Sequence, residues 1–188
     1  MSIYDSQQGV QNYVEMCEDY DGKELYEVLR RHVNTESHIL ELGAGSGHDA
    51  AYLSNYYHYL GSDYSDAFLV HLNDKLPHLS FIKLDAKVIK LAKNVDCIYS
   101  NKVLHHLTVC ELAESLKSQR NSLNSRGYIA HSFWLGTGAE VMDGLTMQYH
   151  KKEELLELIS ANFNVVEAHV YEEFEAGDSI FVIAQKVT

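Results

Sequence analysis

The chain has 188 residues, 46% hydrophobic and 22% charged, proportions that exclude a disordered tail, a collagen or a coiled coil. That length suits one domain, able to bury roughly 70% of its unfolded surface without a disulfide or metal staple. Lysine and arginine total 15 against 27 acidic residues, a formal net charge of −12, which repels polyanions and argues against nucleic acid as a partner.

In chain order, residues 1–20 are the most polar stretch and are expected to form a flap. A helix opens after Asp21 with Leu25, Val28 and Leu29 on one face. His38–Leu42 reads as a buried strand running into a glycine loop, followed by a helix near His48–Ser54. Tyr57–Asp63 reads as a second strand, and Ser65 is placed to cap a helix carrying Phe68, Leu69 and Leu72. Ser80–Asp85 and Val95–Ser100 read as the third and fourth strands. Thr108 and Glu111 have capping-box spacing, ahead of a helix with Val109, Leu112, Ala113 and Leu116. Gly127–Trp134 reads as a fifth strand, and the glycine-bearing segment Gly136–Met147 as a long loop. A late helix carries Leu155, Leu156 and Ile159, and two final strands turn around Gly177 as a hairpin.

Alternating strands and helices require parallel strands joined by crossovers, with helices on both sheet faces. The closing hairpin adds an antiparallel edge. The expectation is a single α/β domain over residues 1–188, with a doubly wound, seven-stranded, mostly parallel sheet. Pro77 is the only proline, so no proline-rich linker divides it. Cys17, Cys97 and Cys110 form no CxxC and read as reduced core thiols of a cytoplasmic protein. No apolar run approaches the ~18 residues of a membrane span, and MSIYDSQQ lacks the pattern of an export signal. No membrane partner is expected.

The strongest signal is Glu41-Leu42-Gly43-Ala44-Gly45-Ser46-Gly47. Glycines there let the chain turn sharply and let a ligand approach the backbone, while the next helix offers free N–H groups. A dinucleotide fingerprint would need glycine at position 48, which is His48, and no GK[ST] follows to make a P-loop. Asp63 lies twenty residues after Gly43, at a strand end, where a carboxylate meets a ribose diol.

An acid two residues before GxGxG resembles motif I of the class I S-adenosylmethionine-dependent methyltransferases. The run from Asp96 to Leu107, with Ser100-Asn101 and His105-His106, is similar to the strand-four stretch of members acting on small molecules. The resemblance covers about residues 37–185 and implies a Rossmann-like fold, S-adenosylmethionine as methyl donor and S-adenosylhomocysteine as product. It implies cofactor contacts from Glu41, Gly43, Ala44, Gly45, Gly47, Asp63, Tyr64, Asp85, Ala86, Ser100 and Asn101. Glu41 would serve the methionine end and Asp85 the adenine amine. Residues 1–20, with Tyr4, Tyr13 and Tyr20, would fold over the cleft.

His105 and His106 are candidates for a general base, because histidine titrates near neutrality; packing against cofactor or core is the competing role. Tyr13, Trp134 and Tyr149 are candidates for lining an acceptor cleft, or for covering helix–sheet seams. Ser100-Asn101-Lys102-Val103 departs from the D/N-P-P-Y/F run of adenine N-methylating relatives, which argues against a DNA base. No metal-ligand spacing occurs. The implied function is methyl transfer to oxygen or nitrogen of a small molecule, by a monomer or homodimer. A protein or peptide methyltransferase and a catalytically silent cofactor-binding subunit are the alternatives.

Overall fold

The computed structural model of the chain describes Tyr4 and residues 6–142 and 144–187. In chain order, α1 (Gln7–Met16) and α2 (Lys23–His32) precede β1 (His38–Leu42), α3 (His48–Leu53), β2 (His58–Asp63), α4 (Asp66–Lys75), β3 (Phe81–Lys83) and β4 (Val95–Ser100). Then come a 3-10 turn (Leu104–His106), α5 (Val109–Ser122), β5 (Leu123–Trp134), β6 (Ala139–Met142), β7 (Leu145–Gln148), α6 (Lys152–Ser160), β8 (Phe163–Tyr171) and β9 (Ser179–Lys186). Seven strands form one sheet in the order β3-β2-β1-β4-β5-β9-β8. Its pairs are parallel from β3 to β5, and β9 runs antiparallel to both β5 and β8. The expected α/β sheet with helices on both faces is therefore present.

Helices cover both faces, so β1 and β4 are buried along nearly their whole length rather than on alternate residues. Alternate side chains still go to opposite layers. Leu40, Leu42 and Ile98 join Leu112 and Leu116 of α5 and Leu155 and Ile159 of α6. Ile39, Cys97 and Tyr99 join Leu25, Val28 and Leu29 of α2 and Leu53 of α3. Both predicted caps form: Ser65 Oγ accepts from Phe68 N–H, and Thr108 and Glu111 cap one another at the start of α5.

Three expectations need correction. Residues 136–147 are not one long loop, because β6 and β7 pair as a separate antiparallel hairpin, Met142 opposite Leu145. Gly144 has φ 79 there, a backbone that glycine adopts without penalty. The third strand stops at Lys83, leaving Asp85 beyond it. Of the cysteines only Cys97 is buried; Cys17 is half-buried and Cys110 exposed, all free thiols. Residues 84–94 cross from β3 to β4 without a helix. No described helix is long and apolar enough to cross a membrane.

Candidate functional site

The site gathers at the carboxyl ends of β1, β2 and β4, where open α/β sheets bind ligands. Gly43 and Gly45 have φ 64 and 49, in the left-handed region. A Cβ on Gly43 would stand 2.6 Å from Val103 Cγ2, and one on Gly45 would stand 3.4 Å from the Tyr13 ring. The loop is thus pressed between the chain leaving β4 and the N-terminal helix. Ala44 N–H donates to Ser62 O at 2.8 Å, and Gly47 N–H to Ala44 O at 2.8 Å.

Asp63 sits at the tip of β2 and is nearly buried. Its carboxylate accepts from Gly45 N–H at 3.1 Å and from Ser65 N–H at 2.9 Å. Those bonds favour the charged form, yet burial prevails and raises its pKa. Glu41 is buried on β1 and accepts from the Tyr59 hydroxyl. Burial, then the charges of Asp49 and Asp63, push its pKa up.

Asp49 escaped the sequence reading. It lies in the first turn of α3, buried, accepting from the Tyr26 hydroxyl and from Asn101 Nδ2 at 3.2 Å. Burial raises its pKa too. Asn101 Nδ2 also donates to Tyr20 Oη at 2.6 Å, while Asn101 Oδ1 accepts from Ser132 Oγ. The only advance sign of Asp49 was an acid where a helix N-terminus favours one.

The N-terminal segment reaches the site. Tyr13 packs edge-on against Phe68 and Tyr4, with ring centroids 5.4 Å apart in each case. Ser65 Oγ donates to Tyr4 O. Glu41, Gly43, Ala44, Gly45, Gly47, Asp63 and Asn101 therefore share one neighbourhood with Tyr13 and Tyr20.

The side chains of the other candidates make different contacts. Tyr64 is 68% exposed, its ring under the Lys83 ammonium. Asp85 is exposed and accepts from Lys87 N–H at 2.9 Å, as a turn residue does. The Ser100 side chain points into the core, 2.8 Å from His131 Nδ1. Tyr149 packs beside Gly136 and lies near Glu140. The segments of Trp134 and Tyr149 are bonded to each other, His150 N–H donating to Trp134 O at 3.1 Å.

Trp134 instead meets Lys102, a second residue the sequence reading passed over. The Lys102 ammonium is 3.2 Å from the Trp134 ring centroid and donates to Ser179 Oγ at 2.6 Å. Phe174 stacks on Trp134 at 5.6 Å. Lys102 has φ 52, and burial lowers its pKa to about 8, with Glu173 and Asp178 opposing.

The two histidines differ. His105 is 3% exposed and its Nδ1 has no hydrogen-bond partner. Burial, with His106, Lys102 and His150 adding to it, lowers its pKa to about 2. His106 is half-buried, with Nδ1 2.8 Å from Thr146 O of β7. A carbonyl only accepts, so Nδ1 carries the proton and Nε2 of the neutral ring keeps its lone pair. Burial lowers the His106 pKa, the Thr146 carbonyl opposing. No group of metal-ligating side chains stands together among the described residues.

Residues 39–127 match the family model described as a methyltransferase domain. The chain is similar in fold to the 1,6-didemethyltoxoflavin-N1-methyltransferase of Burkholderia thailandensis, solved with 1,6-didemethyltoxoflavin and S-adenosylhomocysteine. Identity is 18%, over 96% of this chain and 85% of that one, with a TM-score of 0.79. The N-methyltransferase NodS of Bradyrhizobium japonicum, solved with S-adenosylhomocysteine, aligns over 100% of both chains at 13% identity and TM-score 0.75. A S-adenosylmethionine-dependent methyltransferase of Clostridium acetobutylicum aligns at 11% identity over 95% of this chain and 99% of that one, TM-score 0.78. No curated protein sequence matches the chain.

Proposed function

We propose, starting from its membership of the class I S-adenosylmethionine-dependent methyltransferases, that the chain methylates an oxygen or nitrogen of a small-molecule acceptor. S-adenosylmethionine is its methyl donor; when bound, it supplies a methyl group already activated on a sulfonium. The residues fit such a ligand. Gly43 and Gly45 give the loop the left-handed backbone that its tight turn needs, and Glu41, Asp49 and Asp63 set buried carboxylates around it. Asp63, held by Gly45 and Ser65, presents its outer lone pairs to a ribose diol. The glycine loop gives close backbone approach, and Tyr13 with the helix that carries it excludes water from the same loop.

The observation that carries the acceptor reading is the bond from His106 Nδ1–H to Thr146 O. It fixes the tautomer, leaving Nε2 free to take a proton from an O–H or N–H acceptor. Burial keeps the ring neutral at physiological pH, since its pKa lies below the ordinary value of 6.5. His105 is unsuited to the task, because a base whose pKa is about 2 holds no abstracted proton near neutrality. The acceptor nitrogens of the toxoflavin-type enzyme and of NodS support nitrogen as one target.

The test is release of S-adenosylhomocysteine from a panel of small metabolites, with binding measured by calorimetry. His106→Ala is expected to lower turnover about 10²–10⁴-fold while S-adenosylhomocysteine affinity holds. In the parent enzyme the acid limb of the rate profile should lie below pH 6.5. Undiminished turnover by His106→Ala removes the base. Binding without turnover on any acceptor favours a silent subunit.

A further inference from the structure

Lys102 stands between two residues that touch the glycine-loop site. Asn101, before it, donates through Nδ2 to Asp49 at 3.2 Å and to Tyr20 Oη at 2.6 Å. Val103, after it, is the side chain that a Cβ on Gly43 would strike. The Lys102 side chain itself, 13% exposed, runs to β5 and β9. Its ammonium lies 3.2 Å from the Trp134 ring centroid and 5.4 Å from that of Tyr171, donates to Ser179 Oγ at 2.6 Å and stands 3.8 Å from the Glu173 carboxylate.

The backbone of Lys102 is strained, with φ 52. An L-residue is disfavoured in that left-handed region and stays there only where its surroundings over-determine it. Two holds do so. Lys102 N–H donates to Ser132 Oγ at 2.8 Å, and the Ser132 hydroxyl proton goes to Asn101 Oδ1. The ammonium is the second hold. The cage around it is built by other contacts: Phe174 stacks on Trp134, and the Asp178 carboxylate accepts from the N–H groups of Glu173, Phe174 and Glu175. That loop thus brings Glu173 and Phe174 to the ammonium already shaped. A cation desolvated over an indole face is strongly held. Burying the charge is costly in itself, and a methionine would fill the same space without it. What the charge adds is a fixed anchor for residue 102.

We propose that Lys102 is a positioning residue: its caged ammonium holds residues 101–103 against the glycine loop and so sets how tightly that loop takes the methyl donor. The assignment rests on the reading that the glycine loop binds the donor. Nothing in it involves the acceptor.

Two variants separate the anchor from the charge. Lys102→Met keeps the stem but lacks the cation, so residue 102 should relax from its strained backbone and draw Asn101 and Val103 off the loop. S-adenosylhomocysteine should then bind about tenfold more weakly by calorimetry, the factor by which an L-residue disfavours that backbone. Lys102→Gly lacks the cation too, yet adopts the left-handed backbone freely, and should recover most of the loss. A cation acting on the ligand directly, or on stability alone, would be missed equally in both, so equal affinities in the two variants overturn the proposal.

Amide exchange over residues 43–47 of the ligand-free proteins should quicken in Lys102→Met more than in Lys102→Gly, and equal rates in all three chains overturn it as well. That measurement needs no ligand. A parent chain that fails to bind S-adenosylhomocysteine defeats the methyltransferase reading, while the exchange rates still decide the positioning.

The affinity ratio of parent to Lys102→Met supplies a pH profile in which the ligand's own ionisations cancel. Glu173, Asp178, Tyr171 and His105 are the titratable groups around the ammonium. Burial keeps Tyr171 protonated and His105 neutral near pH 8, where the ammonium loses its charge. The ratio should fall toward one between about pH 7 and about pH 9.5, and a constant ratio overturns the anchor. Should Lys102→Met fail to fold, Trp134→Leu removes the cage wall and leaves residue 102 as it is; parent-like affinity and exchange there overturn the proposal.

Discussion

Replacing Gly43 by alanine strikes the loop at its tightest point, and its cost can be worked from two separate strains. The first is conformational: at φ 64 an L-residue pays ~1–2 kcal/mol that glycine does not. The second is steric. The new Cβ would lie 2.6 Å and 2.9 Å from the two Val103 methyls, against an ordinary carbon contact of ~3.5–4.0 Å. Val103 is β-branched and cannot simply rotate clear, so the chain leaving β4 must move by about 1 Å, at ~1–3 kcal/mol. The sum is ~2–5 kcal/mol, read as a shift in urea midpoint at constant slope. Val103→Ala in the same chain removes the methyls and should return the steric part only. The double-mutant cycle should therefore give a coupling of ~1–3 kcal/mol. Additive effects would refute the contact, and a neutral Gly43→Ala would refute the loop geometry.

Two further outcomes follow from buried cations and imidazoles. His131 has a folded pKa of about 3 against an ordinary 6.5, so below pH 6.5 the unfolded chain binds a proton that the folded chain refuses. Its contribution to stability is present above pH 6.5 and is lost as pH falls toward 3, by up to ~1.4 kcal/mol per unit. Urea midpoints at two acidities should show His131→Phe gaining on the parent as pH drops; a constant gap would remove the buried neutral ring. Trp134 is the only tryptophan, and the Lys102 ammonium lies over its ring. Its emission should titrate with a midpoint near the Lys102 pKa of about 8, and Lys102→Met should abolish the transition. A parent spectrum flat through that range would count against the cage.

What was legible in the sequence follows from how local each signal is. His38–Leu42 and Val95–Ser100 read residue for residue as β1 and β4, because each is a short apolar run with turn residues beside it. The Asp143-Gly144 hairpin signal was passed over since Leu145–Gln148 are only half-buried and Val141 is exposed, so no apolar alternation advertised β6 and β7. Asp85 was set at a strand end that the chain abandons at Lys83. Asp49, Lys102 and His131 were invisible for a different reason. Asp49 meets Tyr26 and Asn101, 23 and 52 residues away. Lys102 meets Ser179 across 77 residues, and His131 meets Ser100 across 31. No periodicity or spacing rule joins residues that only the packing of α2 on α3 and of β4, β5 and β9 brings together.

The packing of β1, β2 and α3 creates a charge problem that a bound cation would resolve. Glu41, Asp49 and Asp63 are buried around one loop, and burial raises the pKa of each. Glu41 feels both of the others. Like charges in a desolvated site favour the protonated forms, so this group holds its protons to a higher pH than free carboxylates do. A cation brought among them stabilises the carboxylates, lowers their pKa values and drives those protons off. S-adenosylmethionine carries a sulfonium that S-adenosylhomocysteine lacks, while the two share every other group that meets the loop. Calorimetry at about pH 6 in buffers of different ionisation enthalpy should therefore show more protons released by the sulfonium compound than by its thioether. Asp49→Asn, which deletes one of the three charges, should narrow that difference. Equal proton counts for the two ligands would mean that the sulfonium lies beyond the reach of these carboxylates, and that the acids serve the loop rather than the cation.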